Sequence, residues 1–440
     1  MWTFVPKTET PEDHDSEPRH RAVTAASDSV LATERPLRSS AFRWFFIGRS
    51  VSVVGSFMSP VALSFGVLEI TGSGAWLSAV LAAAVIPMLA TMLIGGGIAD
   101  RYRRDSVLRL TSLGAGIAQA GVAAVLLAHQ SPALLLPLSA LNGIFQGLTT
   151  PTLRGILANL VSGRALQQAG SLLASASNIA RILGPSAAGL LTASVGGGWA
   201  IAADSATFLA AAACFARISL PDLPPRAVDE PSMRSALSEG WRYFRSQTWI
   251  WSVTLAFAIF NATNMGFWQV LGPVITSGTI GPRGWGLALS ARGAGALLAS
   301  LILVKLPIMR RPMTPALASM ALATLPLILL GAGANLAWLM TATFVAGIVA
   351  EFFTVVWVTV TNTRIPERLL SRVGAHDEFW SFLSLPIGQI SASALTAVAG
   401  TTTVAFAGGG LGAAAMLLAA LVPALHRIEI NNKAAADATG

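Results

Sequence analysis

The chain is poor in the residue types that build disulfide frameworks, metal centres and charged soluble surfaces. It has one cysteine, Cys214, and five histidines in 440 residues, and Asp, Glu, Lys and Arg together make up only 11%. One thiol cannot form an intrachain disulfide or a cysteine-based zinc site, so we expect no metal centre. The charged fraction is less than half that of an average soluble domain.

The sequence also lacks the motifs of several enzyme and pump classes. It contains no Gly-x-x-x-x-Gly-Lys-Ser/Thr loop, which argues against a nucleotide-driven pump. The histidines fall in predicted tails and loops, so we expect no metal cluster and no nucleophile with its base inside a span. Residues 1–40 contain no apolar run, so we do not expect them to be a secretory signal peptide. We therefore expect a protein that is not an enzyme.

The chain does have many long apolar stretches and an uneven distribution of positive charge. Hydrophobic residues are 53% of the sequence, in about twelve long stretches joined by short loops. Arginine occurs in almost every second loop, whereas the alternate loops carry only Arg283. This pattern predicts a multi-pass membrane protein with both ends in the cytoplasm. The net charge of +8 then lies beside anionic lipid, and we expect no nucleic-acid partner.

The apolar stretches divide into two sets of six. Each has about the 20 residues that a helix needs to cross a bilayer. The first set is predicted at 42–70, 75–98, 106–128, 132–156, 165–194 and 197–218, and the second at 248–276, 284–306, 314–332, 335–363, 375–399 and 402–425. Two such sets around a central cavity are the arrangement of many secondary transporters.

These boundaries divide the chain into five parts. Residues 1–40 are predicted to be a disordered cytoplasmic tail, because they are too polar to form a core. The two halves are 41–218 and 248–425, and residues 426–440 form a second cytoplasmic tail. In the linker, 219–247, apolar residues recur at helical spacing beside arginines, which predicts an amphipathic helix on the inner leaflet.

The loop after the second span carries a charged motif. It reads Gly96-Gly97-Ile98-Ala99-Asp100-Arg101-Tyr102-Arg103-Arg104. This resembles the signature Gly-x-x-x-Asp-Arg-x-Gly-Arg-Arg of the major facilitator superfamily, although Arg103 replaces the second Gly and Asp105 replaces the last basic residue. The resemblance implies that Asp100 and Arg101 latch the halves in the outward-facing state, and the alternative is charge that only sets topology.

A second motif lies in the fifth span, in Gly184-Pro185-Ser186-Ala187-Ala188-Gly189. Proline removes a backbone hydrogen bond and glycine permits close helix approach, so we expect a kinked, tightly packed helix. The sequence is similar to the motif of exporters of the superfamily, the proton-coupled drug antiporters, with Gly184, Pro185 and Gly189 as the matching residues. The alternative is a kinked packing helix of any transporter.

Further stretches are similar to the enterobactin-exporter-like branch of the superfamily. They are Pro151-Thr-Leu-Arg154, Asp204-Ser-Ala-Thr-Phe208, Glu239-Gly-Trp-Arg-Tyr-Phe244 and Ile365-Pro-Glu-Arg-Leu-Leu-Ser-Arg372. The resemblance implies an all-α polytopic membrane protein of about 12 transmembrane helices in two six-helix halves. It also implies a monomer in the bacterial inner membrane that exports a siderophore, antibiotic or other secondary metabolite, driven by the proton gradient without a cofactor.

Ionisable side chains inside spans are costly, so each one is a candidate for function. They are Arg49, Arg181, Asp204, Arg292 and Glu351. Arginine keeps its charge, so Glu351 and Asp204 are the candidates for proton coupling. Glu351 lies between apolar neighbours, which favour a protonated carboxyl group. It is interpreted as a proton carrier or substrate contact, as an ion-pair partner of Arg292, or as a lipid-shielded cavity residue.

The other four candidates have competing interpretations. The depths of Asp204 and Arg181 differ by roughly 10 Å at 1.5 Å per residue, so we do not expect them to pair. Asp204 is interpreted mainly as structural. Arg181 either binds substrate anions or satisfies carbonyls freed by Pro185, and Arg49 reaches the inner face by snorkelling.

Polar and aromatic side chains are predicted to line the cavity and to suit a large amphipathic substrate. These candidates are Asn142, Gln146, Asn178, Asn261, Asn264, Trp268, Gln269, Trp357 and Gln389. Asn261, Asn264 and Trp268 recur at helical spacing and are expected to share one face. The leading hypothesis is a proton-driven exporter, with an uptake permease or a non-transporting receptor as alternatives.

Overall fold

A computed structural model describes residues 36–161, 164–218, 220, 233–306 and 309–429, and the described residues contain helices and no strand. The predicted tails 1–40 and 426–440 lie largely outside this range, and so do residues 219 and 221–232 of the linker. The helices of the first half are α1 (Ser40–Thr71), α2 (Gly74–Arg101), α3 (Arg104–Leu127), α4 (Leu135–Leu160), α5 (Arg164–Val195) and α6 (Gly197–Phe215).

The linker contains α7 (Met233–Ser246), and six further long helical segments follow. They are α8 (Thr248–Ser277), α9 (Gly281–Leu303), α10 (Met313–Gly331), α11 (Leu336–Arg364), α12 (Glu367–Ala399) and α13 (Thr401–Ala420). A short helix, α14 (Pro423–His426), ends the second half. Two segments are irregular: α8 contains a π-helical turn at Asn261–Gly266, and α10 contains a 3-10 turn at Ala321–Thr324.

Local capping explains several of the helix boundaries. The Ser39 hydroxyl accepts the backbone N–H of Phe42 at the start of α1, which satisfies one of the free amides there. Gly72 ends α1 in a left-handed conformation (φ 60°), which costs glycine little. The side chain of Asn335 caps α11 by accepting from the N–H of Trp338.

The predicted all-α bundle of about twelve spans is confirmed. Eleven helical segments among the described residues are long and apolar enough to cross a membrane. The twelfth, α5, is more polar, since it carries glutamines, serines, Asn178 and Arg181, and it packs between α1 and α9 inside the bundle. Asn178 and Arg181 are half-buried in the bundle, whereas Gln167, Gln168 and Ser171 are exposed.

The two halves meet at one end of the bundle. We call the end where α1 begins, which carries the arginine-rich loops, the basic end, and the opposite end the far end. At the far end, Ser78 of α2 hydrogen-bonds Ser393 of α12 (2.5 Å). Ser186 of α5 likewise contacts Ser290 of α9 (2.6 Å). An apolar cluster with members from both halves, including Phe65 and Trp285, lies beside these contacts.

The linker helix α7 packs on α12. The ring of Trp241 lies 5.5 Å from that of His376 and 5.9 Å from that of Trp380. Glu239 of α7 forms ion pairs with Arg372 and Arg368 of α12. The described side chains of Trp241 and Phe244 therefore contact α12, and the position of this helix on the inner leaflet stays a prediction.

Candidate functional site

A cavity of about 610 Å³ runs through the second half from the middle of the bundle to the basic end. Its walls come from α8, α9, α10, α11 and α12. Arg292 and Met265 lie towards its inner end, and Ile365 and Leu370 lie towards the basic end. The volume is within the range of sites for drug-sized ligands.

Three charged side chains lie near the middle of the bundle. The Glu351 carboxylate of α11 is 3.8 Å from the Arg181 guanidinium of α5, and both side chains are partly exposed. This ion pair joins the two halves. Arg292 of α9 lines the cavity and lies close enough to Arg181 for the two positive charges to repel. The expected ion pair between Glu351 and Arg292 is therefore corrected: the described ion-pair partner of Glu351 is Arg181.

The pairing with Arg181 follows from close packing of α5 against α9, which itself packs against α11. A Cβ on Gly293 of α9 would lie 2.9 Å from the Arg181 carbonyl oxygen, so the backbones of α5 and α9 nearly touch there. Arg181 also places its guanidinium over the Phe57 ring at 5.9 Å. Small residues in α9 thus bring Arg181 across the boundary between the halves.

Asp377 of α12 is a cavity carboxyl that sequence reasoning missed. The Thr254 hydroxyl donates to its Oδ1 at 2.6 Å, and the Trp357 and Ser381 side chains lie beside the carboxylate. We expected the eleventh span to begin at 375, whereas α12 begins at Glu367. Asp377 and Glu378 therefore lie inside the bundle, about 15 Å along the helix at 1.5 Å per residue, and not at its boundary.

His376 lies inside α12 for the same reason, which corrects its expected place in a loop. Its ring lies 5.5 Å from that of Trp241 and 6.3 Å from that of Phe244. The imidazole therefore faces α7. The signal that could have placed these residues was the helical spacing of Leu369 and Val373, which are buried and continue the apolar face of α12 towards the basic end.

Aromatic side chains form one wall of the cavity. The rings of Phe257 and Phe353 stack with their centroids 4.5 Å apart, and Phe353 stacks on Trp357 at 6.1 Å. Phe260 and Phe382 also line the cavity. Trp357 thus takes the lining position that was predicted for it.

The predicted face of α8 is divided by its π-helical turn. Asn261 lines the cavity, and its amide donates to the Ser381 carbonyl at 2.8 Å. Trp268 instead stacks on Trp285 (4.5 Å) within the far-end cluster. The prediction that Asn261, Asn264 and Trp268 share one face is therefore corrected, because the wider π turn changes the helical phase between them.

The other predicted lining residues lie outside this cavity. Gln389 donates to the Gln269 side chain at 2.6 Å, and Gln146 lies 3.4 Å from Asn142 on the same helix. Asn178 is half-buried on α5. None of these five amides is among the lining residues of the cavity.

Asp204 is fully buried between the helices of the first half. The Gln119 amide of α3 donates to its Oδ2 at 2.7 Å and also contacts the Ser59 hydroxyl of α1 at 2.9 Å. This network joins α1, α3 and α6, which fits the structural interpretation of Asp204. Arg49 is half-buried on α1 and is not among the cavity's lining residues.

The two sequence motifs are placed at opposite ends. The surroundings of Gly96 and the side chains of Asp100 and Arg101 lie outside what the structure describes. Arg104 donates to the Gly155 carbonyl (2.8 Å) and to Asn159 (2.6 Å), and so joins α3 to the end of α4 at the basic end.

The fifth-span motif lies at the contact between the halves. A Cβ on Gly184 would lie 2.7 Å from that of Phe57 in α1, and one on Gly189 would lie 2.5 Å from the Pro282 carbonyl oxygen of α9. A Cβ on Gly286 of α9 would in turn collide with the Pro185 carbonyl oxygen. The motif thus provides backbone-to-backbone packing of α5 on α9 at the far end.

Sequence comparison places this geometry in a known family. Residues 31–439 match the family described as transmembrane secretion effector. The staphyloferrin A transporter of Staphylococcus aureus is 25% identical over 276 residues, which are 60% of this chain and 66% of that protein. The enterobactin exporter EntS of Shigella boydii is 29% identical over 220 residues, 49% of this chain and 51% of that protein. The chain thus spans about half to two thirds of these relatives.

Solved transporters share the fold. The nucleoside transporter NupG superposes with a TM-score of 0.71 at 12% identity, covering 88% of this chain and all of NupG. A D-xylose-proton symporter superposes with a TM-score of 0.61 at 16% identity, covering 90% of this chain and 97% of the symporter. At these identities the comparison shows the architecture alone.

Proposed function

Because the chain belongs to the transmembrane secretion effectors of the major facilitator superfamily, a family of transporters and not of enzymes, we propose that it exports an amphipathic small molecule in exchange for protons. The substrate class is a siderophore, an antibiotic or another secondary metabolite. The basic end faces the cytoplasm of a bacterial cell, as the arginine distribution predicts, with both termini on that side. The protein works as a monomer in the inner membrane.

The observation that carries this proposal is a cavity that reaches the basic end of a bundle whose halves meet at the far end. Such a conformation receives its substrate from the cytoplasm. Alternating access then requires the far-end contacts to open while the basic end closes. The relative named as the enterobactin exporter EntS supports the outward direction.

Glu351 is proposed as the carboxyl that connects protonation to this movement. In its ionised form it attracts Arg181 of the other half across 3.8 Å. A proton removes that attraction and leaves Arg181 beside Arg292, whose charges repel. Protonation at Glu351 therefore changes the balance of forces between α5 and the second half.

The test compares metabolites in cells and spent medium. The strains are the native strain, a deletion strain, and the deletion strain expressing wild type, Glu351→Gln or Glu69→Gln. Glu69 is the matched control, since its carboxylate accepts from the Gly197 N–H near the far end (3.3 Å) and a glutamine can still accept there.

The expected result is one compound retained in cells by deletion and by Glu351→Gln, and released by wild type and Glu69→Gln. Uptake of that compound into inside-out vesicles should collapse when a protonophore is added. A compound that the deletion strain leaves in the medium would instead mean uptake. Export that persists with Glu351→Gln would remove Glu351 as the coupling group.

A further inference from the structure

We propose that Arg310, Arg311 and Arg364 form a binding site for the headgroup phosphate of an anionic phospholipid, and that the Glu429 carboxylate occupies this site when no lipid is bound. The arginines lie at the basic end of the second half, in the loop between α9 and α10 and at the end of α11. None of these four residues lines the cavity. The inference goes beyond the proposed function and does not depend on what the protein transports.

The first observation is how Glu429 is held. Arg310 donates from Nε (3.2 Å) and Nη2 (2.9 Å) to Oε2 of the carboxylate, and Arg311 donates from the same two nitrogens to Oε1 (3.0 and 2.7 Å). Arg364 donates to the backbone carbonyl of Glu429 at 2.9 Å, which places a third guanidinium beside the other two. A phosphodiester also presents two charged oxygens, and paired hydrogen bonds of this kind are how arginine binds phosphate.

The second observation is the charge of the site. Three guanidinium groups contact Glu429, and within the described part of the chain no other carboxylate lies at ion-pair distance from them. Arg427 is exposed on the same segment as Glu429 and adds a further positive charge. The site therefore carries excess positive charge, which attracts an anionic headgroup, whereas a zwitterionic headgroup brings a cation of its own.

The third observation is the apolar surface beside the arginines. Val304, Leu306 and Met309, which precede Arg310 in the same loop, are 85%, 55% and 58% exposed, and Leu421 at the end of α13 is 69% exposed. Large apolar side chains at the end of a span face acyl chains in a bilayer, and arginines next to them lie at the level of the headgroups. The ligand that fits is therefore a phosphate attached to acyl chains and not a free phosphate ion.

Glu429 can leave the site without displacing the segment that carries it. Leu425 and Ile428 are 1% and 4% exposed in an apolar cluster with residues of α8, α10 and α11, so burial of these two side chains keeps the segment in place. The side chains of Arg310 and Arg311 are 79% and 62% exposed, and exposed ion pairs contribute little to stability. A rotation of the Glu429 side chain is therefore enough to admit a phosphate.

The competition between Glu429 and the lipid is between two anions. Hydrogen bonds from Arg311 and Arg310 hold the pKa of the Glu429 carboxyl below its usual range. Glu429 is therefore ionised at neutral pH, and the concentration of anionic lipid, rather than pH, determines which anion the arginines bind.

The test measures lipid binding to the purified full chain in a nonionic detergent by native mass spectrometry. The lipid probe is dioctanoyl phosphatidylglycerol. Dioctanoyl phosphatidylcholine has the same chains and phosphate with a zwitterionic headgroup, and inorganic phosphate, which has no chains, is added as a competitor. The variants are Glu429→Gln and the double variant Arg310→Gln/Arg311→Gln. The control is Arg43→Gln/Arg109→Gln, since both of these arginines are exposed and their loss changes the net charge equally.

For wild type and the control, we expect phosphatidylglycerol to bind about tenfold more tightly than phosphatidylcholine. Arg310→Gln/Arg311→Gln should lower the affinity for phosphatidylglycerol about tenfold, because charged hydrogen bonds to the phosphate are lost. Glu429→Gln should raise that affinity about three- to tenfold, because the competing side chain loses its charge. Inorganic phosphate at the concentration of the lipid should not compete.

Unchanged affinity in the double arginine variant, or weaker binding by Glu429→Gln, would overturn the proposal. Competition by inorganic phosphate would show that the site takes a free anion, which overturns the assignment to a phospholipid. If the double arginine variant does not fold, Glu429→Gln and the contrast between the two lipids in wild type still decide the question. None of these measurements requires transport, so a protein that binds the lipid but exports nothing would refute only the proposed function.

Discussion

Closure of the far end depends on the absence of a side chain at Gly286. A Cβ at this position would collide with the Pro185 carbonyl oxygen of α5 and would lie 3.2 Å from the Gly189 Cα. Both neighbours are backbone atoms, so Gly286→Ala forces α9 and α5 apart. Overpacking of this kind costs typically about 1–3 kcal/mol. In the conformation with an open far end that contact is released, and the cost falls on the closed state alone.

A cost of about 1–3 kcal/mol corresponds to a roughly 5- to 150-fold shift between two states. The protein is suited to measuring it, because it has a single cysteine. In a Cys214→Ala background, Ser78→Cys places a thiol at the other far-end contact, where Ser78 is buried. The rate of labelling by a membrane-impermeant maleimide then reports the fraction of molecules with an open far end.

The expected result is a labelling rate at least fivefold higher with Gly286→Ala. Gly170→Ala is the matched control: it lies on α5, and a Cβ there meets nothing within 4 Å. That variant should label as the parent does. An unchanged rate in folded Gly286→Ala protein would refute the argument that tight packing of α5 on α9 closes the far end.

Variants at three further places, the Arg181–Glu351 pair, Arg104 and Asp204, separate structural from functional roles. Glu351→Gln should change the free energy of unfolding by less than about 1 kcal/mol, because its ion pair with Arg181 is long and partly exposed. The single changes Arg181→Glu and Glu351→Arg should each abolish transport, and the double variant, in which the two charges are exchanged, should restore it. Thermal unfolding and export assays check both. Arg104→Ala should lower the free energy of unfolding by about 1.5–3 kcal/mol, as its charged hydrogen bonds to α4 are lost, and the exposed Arg109→Ala should not. Asp204→Ala should reduce the yield of folded protein in size-exclusion chromatography, since it removes the carboxylate that accepts from the Gln119 amide, while Asp204→Asn should fold and transport. A folded but inactive Asp204→Asn would assign Asp204 to coupling.

The sequence predicted the bundle well because apolar length alone determines which segments can cross a membrane. It failed at the start of α12: the charge-rich segment from Glu367 to Gly374 reads as a loop, which put Asp377 and Glu378 at the very beginning of the predicted span. Those charges are satisfied by protein: Arg372 pairs with Glu239 of α7, and Asp377 accepts from Thr254 of α8. A hydropathy pattern carries no information on partners from other helices. Sequence analysis therefore did not identify Asp377 as a cavity carboxyl.

The residue that pairs with Glu351 across the two halves also could not be predicted from the sequence. Helical spacing gives the face on which Glu351 lies, but the rotation and distance of α5 relative to α11 determine whether Arg181 or Arg292 is its partner. That geometry depends on glycine contacts such as Gly293 on the Arg181 backbone. The π turn in α8 has a similar effect, because one widened turn moves Trp268 away from the face of Asn261.

The chemistry of the far-end contacts fits a closure that has to be reversible. Two hydroxyl pairs, Ser78 with Ser393 and Ser186 with Ser290, join the halves there. Neutral hydrogen bonds contribute only about 0.5–1.5 kcal/mol each, and hydroxyl groups exposed by opening are readily solvated by water. Buried ion pairs would be far more costly to separate. The charged contact between the halves, Arg181 with Glu351, lies instead at mid-depth and is partly exposed. In the proposed exchange, the charged contact that responds to a proton is thus separate from the neutral contacts that have to open.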